Sequence, residues 1–67
     1  MNEMIKCWLT DMYEREIEEI TGTILNNRLC ILSAANEEEK HMFIQNEMDM
    51  REYLEVLEEL KKKVKEK

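Results

Sequence analysis

The chain reads as an all-α protein: an antiparallel αα-hairpin that dimerises into a four-helix bundle. Three observations predict this class. Proline is absent and glycine occurs once, so the turn residues of a β fold are missing. Charged residues make up 39% and apolar ones 43%, a balance that suits long amphipathic helices and is too apolar for a disordered chain. The apolar residues recur three and four apart in two segments, with a break near Ala35-Asn36. At 67 residues there is no room for a barrel, a doubly wound sheet or a second domain, so residues 1–67 are read as one domain.

The first helix is expected from about residue 3 to about residue 34, with Asn2 as its cap. Its apolar seam is Tyr13, Ile17, Ile20, Ile24, Asn27 and Ile31. Thr21-Gly22-Thr23 is its weak point, where a mid-helix glycine and flanking β-branched residues favour a kink or local softness. The turn falls at about 35–36. Asn36 is a good N-cap, and Glu39 stands three residues on, in capping-box position. The second helix is expected over about 37–66. Glu37, Glu38 and Glu39 suit the positive end of its dipole, and the lysine run from Lys61 suits the negative end. Acid-first pairs Glu47–Arg51, Glu58–Lys62 and Glu59–Lys63 support it at i,i+4.

The expected seam of the second helix is Phe43, Asn46, Met50, Tyr53, Leu57, Leu60 and Val64. Folding the chain back about residue 35 makes facing numbers sum to about 70. Tyr13 then meets Leu57, Ile17 meets Tyr53, Ile20 meets Met50, Ile24 meets Asn46, and Asn27 meets Phe43. Asn27 and Asn46 fall in adjacent layers, where either the two amides hydrogen-bond and fix register, or one of them points to solvent because the seam is shallow there.

One hairpin leaves apolar residues without a partner. Leu25, Leu29 and Leu32 lie off the first seam, and Met42, Ile44 and Met48 off the second. These six form the expected dimer interface, because a hairpin this small lacks a sufficient core of its own. In architecture such a dimer resembles the small bacterial plasmid-copy-control hairpin dimers that bind RNA, although no motif is shared.

Charge argues against that ligand. Residues 1–60 carry 15 acids against five bases, and residues 61–67 carry a net charge of +4. An acidic body repels phosphate, so direct nucleic-acid binding is not expected. The lysine tail is read as dipole complementarity at a helix end. Glu3, Lys6 and Asp11 interrupt any apolar leader, and the longest apolar run is Leu29-Cys30-Ile31-Leu32. The expectation is a soluble cytoplasmic protein with no membrane association, in which Cys7 and Cys30 are free thiols. Cys30 has apolar neighbours in sequence, a setting in which a thiol is inert.

No catalytic residue, cofactor site or metal site is assigned, and the chain is not read as an enzyme. Glu38 and His41 form Glu-x-x-His, the spacing of ferritin-like di-iron sites. The sum-to-70 register places leucines opposite them, so the ligand set is incomplete. A metal-binding or storage hairpin through these two residues is the alternative function. The favoured function is a small acidic regulatory module that binds and modulates another protein, as adaptor, inhibitor or co-regulator. Such proteins are frequent on phages and mobile elements, and one version acts on a DNA-binding protein. Met1, Ile5, Trp8 and Met12 form a stripe away from the seam, which either extends the bundle core or docks a partner. The docking surface is expected at Ile5, Trp8 and Met12 with Asp11, Glu14 and Glu18, which favour a partner with a basic surface.

Overall fold

The computed structural model describes residues 2–66. It consists of helix α1 (Glu3–Leu32) and helix α2 (Glu37–Glu66), packed side by side as an all-α helical hairpin. The body is slender, with extents of 51 × 14 × 10 Å. Met1, expected in the tryptophan stripe, lies outside the described residues.

Local chemistry sets the helix ends. The Asn2 side chain accepts from the Met4 N–H at 2.8 Å, satisfying one of the donors a helix start leaves free. Asn36 does the same for α2, accepting from the Glu39 N–H at 2.8 Å. Lys63 and Lys65 occupy the last turn of α2. Helix α1 stops at Leu32, two residues short of the expected end. There the Ser33 hydroxyl donates to the Leu29 carbonyl at 3.0 Å, and the Ser33 N–H reaches the same oxygen at 3.1 Å. A serine that engages the last carbonyls in this way favours termination.

The expected softness at Thr21-Gly22-Thr23 does not break α1. The Thr21 and Thr23 hydroxyls donate to the carbonyls of Ile17 and Glu19, one turn back, at 2.7 and 3.0 Å. These bonds satisfy the hydroxyls without leaving the helix.

The most buried apolar residues are Leu57 (4% exposed), Ile24 (6%) and Val64 (8%). None is fully enclosed, so the interhelical core is one thin stripe. Tyr13, Ile17, Ile20, Ile31, Phe43, Met50 and Leu54 flank it, half-buried. The α1 seam is the expected one, extended by half-buried Leu9. On α2 the positions Phe43, Met50, Leu57 and Val64 are as expected, but the residues between them differ. Glu47, Leu54 and Lys61 turn inward, while Asn46, Tyr53 and Leu60 are exposed. The spacing is four-then-three instead of three-then-four. Two of the substituted positions carry charge, and each charge finds an opposite charge on α1.

Of the two outcomes open to the asparagines, the solvent-facing one is found, for the same reason. Asn46 is exposed, whereas Asn27 is 8% exposed and its Nδ2 donates to the Phe43 carbonyl at 2.6 Å. Asn27 therefore clamps to backbone on the opposite helix, at the residue pair the sum-to-70 register places together. A buried amide needs such a partner, since an unsatisfied one costs about 1–3 kcal/mol.

Candidate interaction surfaces

Among the described residues, two ion pairs bridge the helices. Arg28 Nε meets Glu47 Oε1 at 2.9 Å, and Lys61 Nζ meets Glu14 Oε1 at 3.1 Å. Arg51 joins the first, its Nε 3.3 Å from Glu47 Oε2. The other two expected i,i+4 pairs, Glu58–Lys62 and Glu59–Lys63, do not close among the described residues.

These bridges define the front of the hairpin. On α1, Glu14 and Arg28 each follow a seam residue, Tyr13 and Asn27. A helix advances about 100° per residue, so residues that follow the seam share the front and residues that precede it share the back. Leu25 and Leu32 follow Ile24 and Ile31, and Ile44, Met48 and Arg51 follow Phe43, Glu47 and Met50. Leu29 sits beside them at the outer front. A groove of about 350 Å³ runs along this side, lined by Ile24, Leu25, Arg28, Arg51, Leu54 and Glu55.

The back collects a different set. Trp8 and Met12 precede Leu9 and Tyr13, and Ile5 precedes half-buried Lys6. On α2, Tyr53, Val56 and Leu60 precede Leu54, Leu57 and Lys61. Ile5, Trp8, Met12, Tyr53, Val56 and Leu60 are all exposed, Trp8 at 64%. Met42 also falls on the back, apart from the other five residues expected at the dimer interface. All six of those, Leu25, Leu29, Leu32, Met42, Ile44 and Met48, are exposed in the single hairpin. Apolar surface is thus concentrated on the front of the turn half and on the back of the open half.

Of the acids expected beside Trp8, Asp11 stands one turn along α1 from it, while Glu14 and Glu18 stand farther on. Asp11, Glu14 and Glu18 line a shallow groove with Arg15, toward the front of α1, and Glu14 is already engaged by Lys61. The acids that share the back are Glu16 and Glu19 on α1 and Asp49 on α2, with Glu52 at its outer margin. The sequence did not single out Asp49, nor Val56 and Leu60 as surface. The usable signal was the three-and-four spacing of Tyr53, Val56 and Leu60, a second stripe beside the seam.

Glu38 and His41 are both exposed in the first turns of α2, and Cys7 and Cys30 are exposed free thiols. The apolar setting expected for Cys30 is therefore absent, since its side of α1 faces outward. Among the described residues, no group of three or more His, Cys, Asp or Glu side chains gathers as a metal site requires. No helix among them is long and apolar enough to cross a membrane. Comparison with protein-family models, curated proteins and solved structures found no match.

Proposed function

We propose that the chain is a small acidic regulatory interaction protein, a homodimeric helical bundle that binds another protein and changes its activity. The observation that carries this reading is the imbalance between core and surface. Among the described residues, three apolar side chains are buried, while thirteen large apolar ones are exposed and concentrated on two faces. Contiguous exposed apolar surface marks interaction sites in soluble proteins. Two faces give room for two occupants. The front of the turn half, with Leu25, Leu29, Leu32, Ile44 and Met48, serves self-association into a four-helix bundle. The back of the open half, with Ile5, Trp8, Met12, Val56 and Leu60, serves the partner.

Trp8 is the anchor of the partner surface, because a large rigid aromatic dominates binding energy at interfaces. Glu16 and Glu19 border it and favour a partner with a basic surface, chiefly through the rate of encounter. The site is an extended apolar stripe, a form that suits a helix or protein face better than a small molecule.

Co-purification of the tagged chain from its source cells, beside a Trp8→Ala variant, tests this function. The expected result is a protein retained by the wild type and lost by the variant, with helicity and assembly mass equal in both. Retention of the same proteins by both chains would contradict it.

A further inference from the structure

We infer that the partner's contact segment is a single amphipathic helix lying lengthwise on the back, with apolar residues over the open half and Lys or Arg about two turns away, over the middle. The inference rests on the proposed partner surface at Trp8 and adds the form of the occupant and the order of its residues.

Both helices of the back change character in the same direction. From the open end inward, Ile5, Trp8 and Met12 on α1 give way to Glu16 and Glu19. On α2, Leu60, Val56 and Tyr53 give way to Glu52 and Asp49. At the level the Asn27–Phe43 contact fixes, Glu16 stands across from Tyr53, so the change comes about one turn earlier on α1. None of the four acids makes an ion pair among the described residues. Asp49 accepts from the Gln45 amide at 3.1 Å, which leaves its charge in place. Charges at the margins do not reverse the order. Arg15, on the outer side of α1, is the one base on this side at the level of the acids, so four acids against one base leave a net charge of −3 there. Around the apolar stretch the charges nearly cancel, with Lys6 and Lys63 against Glu3, Glu59 and Glu66.

Size decides the form of the occupant. From Ile5 to Glu19 helix α1 rises about 21 Å. On a body 14 Å wide this stretch offers about 300 Å², well below the roughly 800 Å² per partner of a standard interface between folded proteins. A helix of about 15 residues has that length and a width of about 10 Å. It can seat its side chains between two packed helices and become the third helix of a bundle. The order of its residues follows from desolvation. A lysine over the apolar stretch would lose water and meet no anion, and a leucine over the acids would strip water from carboxylates. Apolar on apolar and base on acid avoids both costs. The centres of the two stretches lie about 9–14 Å apart along α2 and α1, close to two helical turns.

Synthetic helical peptides of about 15 residues test the order. The first carries leucines on one face of one half and lysines on the same face of the other half. The second has the same composition with leucine and lysine alternating along that face, and the third replaces the lysines of the first with glutamates. Emission from Trp8, the chain's one tryptophan, reads binding. The segregated peptide should bind at least about tenfold more tightly than the alternating one and move the emission to shorter wavelength, and strong salt should shrink the difference. The glutamate peptide should bind more weakly than either. A Glu16→Lys, Glu19→Lys chain, its helicity and mass unchanged, should lose the preference for the segregated lysine peptide and bind the glutamate peptide better than the wild type does. Equal affinity for the segregated and alternating peptides, or a preference that survives in this chain, would overturn the inference. So would an assembly of the wild type that Trp8→Ala dissociates, because a second copy would then cover the back. If no peptide binds while a protein is still captured from cells through Trp8, the occupant is a folded face; the inference fails and the proposed function stands. Capture that ignores Trp8→Ala would overturn the proposed function beneath it.

Discussion

The front and the back of the hairpin expose similar apolar residues but differ in how charge accompanies them. On the front, Arg28, Glu47 and Arg51 form a network of opposite charges beside the leucines. On the back, both helices are acidic at mid-length, and the apolar surface centres on Trp8. Apolar area alone does not select an occupant, because the hydrophobic effect is non-directional. Charge layout does. A face whose charges pair within the hairpin suits the proposed contact with a second copy, whereas a face acidic on both helices suits the proposed basic partner.

The comparison breaks most readily at its apolar residues. Leu29→Glu or Ile44→Glu on the front should halve the assembly mass and abolish most helicity together, since small obligate dimers lack a stable monomer. Trp8→Glu on the back should leave mass and helicity unchanged. Sedimentation and circular dichroism read both outcomes, and a collapse caused by Trp8→Glu would make Trp8 part of the bundle core.

A smaller effect separates the two asparagines. Asn27→Ala removes a buried amide that donates to the Phe43 carbonyl and should lower stability by about 1–2 kcal/mol. Asn46→Ala, on an exposed residue, should change it by less than about 0.5 kcal/mol. Urea unfolding of the two variants at one protein concentration makes the comparison.

Next in size is Gly22→Ala. A methyl group added at Gly22 meets nothing within 4 Å, and the position is helical and exposed. The substitution should therefore raise stability by about 0.5–1 kcal/mol, measured as a higher urea midpoint with an unchanged slope. The smallest expected change comes from Glu16→Lys with Glu19→Lys on the back. Mass should be unaffected and stability should move by less than about 0.5 kcal/mol, while association with a basic partner slows.

Much of the fold was legible in the sequence because its signals are local. Asn2 and Asn36 cap where short polar side chains can, and the lysines sit where the dipole favours them. The Asn27–Phe43 contact followed from where the turn falls. What escaped was the choice between Asn46, Tyr53 and Leu60 on one side and Glu47, Leu54 and Lys61 on the other. Hydrophobicity favours the first set, since two of the second are charged. Cross-helix ion pairs to Arg28 and Glu14 reverse the preference, and such pairs lie 19 and 47 residues apart in sequence. That rotation of α2 also decides which residues face out. Val56 and Leu60 join the Trp8 surface because of it, and Glu14 leaves that surface for Lys61.

The central claim is that one hairpin is incomplete and a second copy covers its front. Sedimentation equilibrium of the wild-type chain at micromolar concentration tests this most directly. The predicted result is a helical species of twice 8.2 kDa. A helical, cooperatively folded species of 8.2 kDa that does not grow with concentration would contradict it.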